Sequence, residues 1–333
     1  MIEWIEFNNF RALRKTKLPL GAFTLIVGAN GSGKSTALSS FLGLAKPGTW
    51  NANQVRSVGV PQTEQATLVA RWSGDNSVFL IRVGWSESGA SATNFSSVGP
   101  GGAIRVAAPK DALDRARSFS LDADAIARAV NLQPRMELES NGANLAGVLD
   151  RLRDQFPERF DALNQELARW IPEFDKILFE TPAQGQRAIA LRTRDGAHSI
   201  KARYLSQGTL VALALLTISY MPEPPSIVCL EEPDHGLHPR LLRDVRDALY
   251  RLAYPEGSKE KRTPVQVIAT THNPYFLDLF REHPEEVVIA EKVGLEGRFS
   301  RLSDRPDLEE ILGDAPLSEV WYSGVLGGVP AGA

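Results

Sequence analysis

The sequence predicts an α/β fold with a mixed β-sheet, an antiparallel β part and a helical insertion. Three patterns carry that prediction. Short, mostly apolar runs at 23–27, 226–230 and 265–269 read as strands buried on both faces. The first run is followed at once by a Gly-rich loop and a helical pattern over 35–45, the strand–loop–helix unit of a parallel sheet. Between the two ends, apolar positions recur at helical spacing over 145–170.

Taken in order, residues 2–7 alternate Ile2, Trp4 and Phe7 with Glu3 and Glu6, which reads as an exposed first strand. After the first helix, Pro47-Gly48 breaks the chain. Short β-like pieces follow at 67–72, 77–85 and 103–107, and the Ser/Gly-rich stretch 86–102 reads as a mobile hairpin loop. Leu145, Val148, Leu149, Leu152 and Phe156 form one helical stripe, and after Pro157 the residues Phe160, Leu163, Leu167 and Trp170 form another. The α/β pattern resumes near 201 and runs to about 301. The expected organisation is therefore a nucleotide-binding lobe over 1–110, a helical insertion over 111–200, a second lobe over 201–300, and a C-terminal segment over 301–333.

Composition narrows the class. The chain has 333 residues, enough for one elaborated domain or two lobes, and 43% of them are hydrophobic. No apolar run reaches the length of a membrane span and no secretory signal pattern opens the chain, so the expected location is the cytoplasm, away from membranes. The single cysteine, Cys229, sits inside an apolar run and reads as a buried thiol. A net charge of −3 gives no global nucleic-acid footprint; the cluster Arg11, Arg14, Lys15, Lys17 is the one concentrated basic patch.

The chemistry starts at Gly28-Ala29-Asn30-Gly31-Ser32-Gly33-Lys34-Ser35-Thr36, a full G-x-x-x-x-G-K-[ST] phosphate loop in its required strand–loop–helix setting. Its glycines let backbone N–H groups turn inward around a phosphate, Lys34 adds a charge for the β and γ oxygens, and the Ser35 hydroxyl suits Mg²⁺. Three later segments complete the pattern. Ser206-Gln207-Gly208 opens an apolar helix, with Ser206 as a natural N-cap. The run 226–230 delivers Glu231 and Glu232, the first suited to supporting a metal and the second to deprotonating a water. The run ending Thr271-His272-Asn273-Pro274 delivers a histidine at a strand end.

In this order the four motifs closely resemble the ABC-type P-loop ATPases, and within them the soluble branch that includes SMC, RecF-type and OLD-family ATPases. Glu231-Glu232-Pro233-Asp234-His235-Gly236-Leu237-His238-Pro239 is similar to that branch's Glu-Glu-Pro-Glu-x-x-Leu-His-Pro. The resemblance implies an ATPase-head fold, ATP and Mg²⁺ as cofactors, and the following roles. Asn30 to Thr36 bind the phosphates. Ser206, Gln207 and Gly208 are the signature that contacts the γ-phosphate of ATP held by a second subunit. Glu231 and Ser35 support the metal, Glu232 is the general base, and His272 senses the γ-phosphate. Arg11 matches a basic position near the nucleotide. The Gln-loop residue is Gln62 or Gln133, with Gln62 preferred. Two features depart from the pattern: Glu231 stands where many members carry Asp, and the signature runs Gly-Thr rather than Gly-Gln or Gly-Glu.

A split site of this kind implies an ATP-dependent homodimer. No long coiled coil is present to work as in SMC, and about forty residues follow the last ATPase strand. The expectation is an ATPase switch acting on a separate effector, a nuclease being one class, in bacterial antiphage defence. The alternative is a DNA-binding recombination or repair ATPase of RecF/SMC type. The segment 317–330, with Trp321 and Tyr322, is either a docking element or a tail pinned to the core by its aromatics.

Overall fold

In the computed structural model, residues 1–74, 77–98, 107–257, 262–313 and 315–327 are described. The elements run β1 (Ile2–Phe10), β2 (Leu13–Pro19), β3 (Phe23–Gly28), α1 (Lys34–Ala45), α2 (Ala52–Val55), β4 (Ala66–Gly74), β5 (Ser77–Ser86), β6 (Gly89–Ala90), β7 (Asn94–Ser97), α3 (Ala107–Asp114) and β8 (Ala116–Phe119). Then follow α4 (Ala123–Ile126), β9 (Val130–Asn131), α5 (Leu145–Gln155), α6 (Pro157–Trp170), β10 (Phe174–Glu180), β11 (Gln186–Thr193), β12 (Ser199–Lys201) and α7 (Gln207–Tyr220). The remainder is β13 (Ile227–Glu231), α8 (Leu242–Ala253), β14 (Gln266–Thr271), α9 (Pro274–Asp278), β15 (Val287–Val293), β16 (Glu296–Arg301), α10 (Leu308–Leu312) and α11 (Leu317–Tyr322).

These elements form two compact units. The first comprises residues 1–118, 225–231 and 263–333; the second comprises 119–224 and 232–262. The units cut across the four segments read from the sequence, because 201–300 contributes to both.

The first unit holds two sheets. One is mixed, in the order β16-β15-β3-β14-β13-β8, with β15, β3, β14 and β13 mutually parallel and β16 antiparallel to β15. The other is antiparallel, in the order β2-β1-β4-β5-β6, with β7 also on β5. The sheets share one apolar core in which Phe7, Phe10, Phe41 and Trp85 are almost wholly buried. A buried amide ties them together: Gln266 on β14 accepts from the Ile2 N–H at 2.9 Å and donates to the Ile2 and Gly21 carbonyls at 2.6 and 2.9 Å. Strand β1 is therefore not the exposed strand its alternation suggested. It lies between β2 and β4, with Ile2, Ile5, Phe7 and Phe10 wholly buried, because a second sheet covers one of its faces. The stretch 86–102 pairs on β5 through β6 and β7 as far as residue 98; residues 99–106, and with them most of the β-like piece at 103–107, lie outside the described residues.

In the second unit the two helical stripes fold as the periodicity requires, into α5 and α6. The stretch 111–200 is not helical throughout, however. Residues 174–201 form the antiparallel strands β10, β11 and β12, with β9 also on β11. Their alternation is broken by charged pairs that only the fold explains. Arg192 grips Asp175 with two bonds of 2.8 and 2.9 Å, which holds that carboxyl below its ordinary range. Asp150 of α5, nearly buried, meets Arg153 and Arg187 at 2.9 Å each. Helix α7 is apolar on all sides and is buried continuously from Thr209 to Ser219, as a helix enclosed on every face must be.

Candidate functional site

Three parallel strands of the first unit end together. Register pairs Glu231 with Thr270, and Thr271 with Val27, so the C-terminal ends of β13, β14 and β3 form one edge. From it emerge Glu231, His272 and the phosphate loop. The crevice beyond such strand ends is where ligands bind in open α/β sheets.

The loop's geometry follows from its glycines. Gly31 and Gly33 have φ of 77° and 101°, and Gly33, as the N-cap of α1, turns the chain into the helix. No side chain caps α1 and its first turn carries no acid. Its leading N–H groups and dipole therefore favour an anion. Ser32 and Lys34 are buried within the loop, while Asn30, Gly31 and Ser35 are exposed and Thr36 is half-buried. The Lys34 ammonium donates to the carbonyls of Gly28 and Ala29 at 2.6 and 3.0 Å, which holds its charge inside the loop.

Ser35 and Glu231 lie 196 positions apart in the chain; the fold joins them. The Ser35 hydroxyl donates to Oε1 of Glu231. A hydroxyl and a carboxylate at an anion-binding loop are the hard oxygen donors Mg²⁺ takes when phosphates and water fill its other positions. The extra methylene of Glu231 relative to Asp does not prevent this contact. His272 is exposed one residue past β14, in a turn fixed by the Asn273 N–H on Thr271 Oγ1 at 2.9 Å and by Asn273 Oδ1 capping α9.

Arg11 lies in the β1–β2 turn with a left-handed backbone, φ 52°. Its guanidinium sits 4.6 Å from the Trp50 ring centroid and donates to Ser39 Oγ of α1 at 3.1 Å; partial burial pushes its pKa down from the ordinary arginine value. No local pattern marks Trp50 as its support, since the two are 39 positions apart. The rest of the basic cluster is dispersed: Lys17 stacks on Trp4 and Arg14 donates to the Val58 carbonyl. Gln62 lies in the exposed turn before β4, its carbonyl accepting from Arg56 at 3.0 Å; Gln133 belongs to the second unit. Strand β8, which runs beside β13, has no local signal, because four residues, Ala-Arg-Ser-Phe, are too few to show an apolar period.

In the second unit, Ser206 caps α7 as its type suggests, accepting from the Thr209 N–H at 3.1 Å. Ser206 and Gln207 are exposed. A Cβ on Gly208 would lie 2.6 Å from the Gly236 carbonyl oxygen, so only glycine allows this approach. That contact packs the signature turn against the loop after Glu232. A cavity of about 750 Å³ opens beside them, lined among others by Ser120, Asp122, Asp124, Arg203, Gln207 and His235. Glu232 itself is held at φ 45°, in the left-handed region that non-glycine residues rarely occupy.

The fold and this edge define a P-loop ATPase of the AAA/ABC type. A family model described as "AAA domain, putative AbiEii toxin, Type IV TA system" matches residues 105–278, more than half of the chain, and the chain belongs to that family. A second model, described as an AAA ATPase domain, matches residues 1–70. The chain is similar to an OLD nuclease of Thermus scotoductus, 24% identical over 327 residues, covering 84% of this chain and 60% of that protein. It thus spans about 60% of the length of that relative. Among solved structures it is similar to the SMC head domain from Thermotoga maritima (16% identity, 90% and 98% of the two chains covered, TM-score 0.49). It is also similar to the recombination mediator protein RecF (14% identity, 90% and 98% covered, TM-score 0.44). No helix among the described residues is long and apolar enough to cross a membrane.

Proposed function

We propose that the protein is an ATP-hydrolysing switch: two copies associate head to tail around two ATP molecules, and the nucleotide state controls an effector. The observation that carries this reading is the Ser35–Glu231 contact beside an uncapped, anion-ready helix start. In this reading Asn30 to Thr36 hold the phosphates, and Arg11 steadies the nucleotide from the β1–β2 turn. Bound Mg²⁺ would offset the phosphate charge, with Ser35 and Glu231 as its protein oxygens and Gln62 as a further candidate. Glu232, one residue beyond Glu231, takes a proton from the attacking water, and His272 orients the γ-phosphate. Ser206, Gln207 and Gly208 meet the γ-phosphate held by the other copy, as an N-terminal helix turn suits an anion. The effector is a toxic activity such as a nuclease, and the setting is antiphage defence; the family description and the likeness to an OLD nuclease support this class.

The test is the solution mass of Glu232→Gln by light scattering, with and without ATP and Mg²⁺. Blocked hydrolysis should trap a pair, so the mass doubles only with ATP. A mass that ignores ATP refutes the shared-site switch.

A further inference from the structure

The phosphate loop does not stand alone on its helix. Behind it runs β16, and Gly297 of that strand is buried against the loop. A Cβ placed on Gly297 would lie 2.5 Å from the Ser32 carbonyl oxygen and 2.8 Å from Leu13 Cδ2. From the opposite side, a Cβ on Gly33 would lie 2.7 Å from the same Leu13 methyl and 3.9 Å from Phe299. Leu13, Gly297 and Phe299 therefore make a wall in contact with the middle of the loop, and the wall has no spare depth. Leu13 is wholly buried and the Phe299 ring lies 6.2 Å from that of Phe7, so the wall is continuous with the core.

We propose that β16 is a positioning element of the phosphate loop, and that Gly297 is the residue that sets the loop's depth. It rests on the reading that this loop binds nucleotide phosphates. Which backbone gives way follows from how firmly each is held. Strand β16 is held on both sides: β15 pairs with it from Val288↔Arg301 to Val293↔Glu296, and the Gly297 N–H donates to the Ala12 carbonyl at 2.9 Å. The loop has no strand partner, its Ser32–Ala29 backbone bond is long at 3.3 Å, and the buried Ser32 hydroxyl makes no hydrogen bond. Real Cβ atoms essentially never approach a neighbour closer than 3.0 Å, so a methyl at 297 demands a shift of at least 0.5 Å from its 2.5 Å overlap. The loop takes that shift, and with it the N–H groups at Gly33 and Lys34 leave their places around the phosphates. The Gly297–Ala12 bond also ties β16 to the turn that carries Arg11, so one strand sets the depth of the loop and anchors its neighbour.

The experiment compares wild type, Gly297→Ala, the exposed control Ser300→Ala on the same strand, and Leu13→Val. It measures binding of the fluorescent analogue mant-ATP with Mg²⁺, competition by inorganic pyrophosphate, and the melting temperature without nucleotide. Gly297→Ala should weaken mant-ATP and pyrophosphate by the same factor, about ten- to a hundred-fold, as expected for a sub-ångström misplacement of binding groups. Its nucleotide-free melting temperature should stay within a few degrees of wild type, and Ser300→Ala should bind normally. Adding Leu13→Ala to Gly297→Ala removes the methyl overlap but not the carbonyl one, and should not restore binding. Leu13→Val, which thins the wall, should weaken binding about three-fold, and it decides the matter if Gly297→Ala fails to fold. Normal mant-ATP binding by Gly297→Ala, rescue by Leu13→Ala, or normal binding by Leu13→Val where Gly297→Ala does not fold overturns the inference while leaving the phosphate-loop reading intact. Wild type that binds neither probe overturns both.

Discussion

Glu232 sits at a backbone angle that its own side chain makes costly. Its φ of 45° puts Cβ against the following carbonyl, which costs an ordinary residue about 1–2 kcal/mol and glycine almost nothing. Glycine also gives the unfolded chain more freedom, which offsets about 0.4–1 kcal/mol of that relief. The informative comparison is Glu232→Ala against Glu232→Gly, because both remove the carboxylate and all its contacts, and only the backbone term differs. The net difference is about 1 kcal/mol in favour of glycine. Unfolding entropy of about 2.1 cal/mol/K per residue, taken over the whole chain, converts this to a melting-temperature gap of about 1.5 °C. The assay is calorimetry of the two variants side by side, with ATP hydrolysis measured on both. Both should lose about 10²–10⁴ in hydrolysis rate, the contribution of a general base. An alanine variant as stable as the glycine variant would refute the strain argument, and hydrolysis retained in either would remove Glu232 from the mechanism.

Gly208→Ala forces a methyl to 2.6 Å from the Gly236 carbonyl; ATP-dependent doubling of mass should disappear while mant-ATP affinity per chain changes less than about two-fold. Ser35→Ala and Glu231→Gln should each lower Mg²⁺-dependent nucleotide affinity about ten-fold or more, with little change in EDTA; equal losses in EDTA would exclude a metal role. Arg11→Ala removes the guanidinium between Trp50 and Ser39 and should weaken mant-ATP about five-fold, read by fluorescence titration. Burial pushes the Cys229 thiol well above its ordinary pKa. Once pH passes the ordinary thiol value of about 8.5, the unfolded chain loses this proton and the native one keeps it, so stability falls by about 1.4 kcal/mol per pH unit. Urea unfolding of wild type against Cys229→Ala at pH 8, 9 and 10 reads that slope, which the variant should lack.

The sequence by itself determined the elements whose logic is local. The run 23–27 and the loop after it specify β3 and α1, because a buried strand and its glycines leave few alternatives, and the observed elements differ by one residue at most. The same holds for Ser206 as a cap and for β13 and β14, where four and three apolar residues in a row must be enclosed. Trp321, buried on α11, and exposed Tyr322 show that the C-terminal aromatics divide between core and surface, a division that neighbours set and periodicity does not. Sheet membership was beyond local reading for the same reason. Strand β1 is covered by a partner sheet, and 174–201 pairs as strands, because hydrogen bonds to distant residues decide both. The site divides along the same line. Its residue types were legible as motifs, since phosphate binding and proton transfer demand particular groups. The contact of Ser35 with Glu231, the stacking of Arg11 on Trp50, and the seat of Ser32 on Gly297 were decided by tertiary structure alone, because each joins positions that only packing of the sheets brings together.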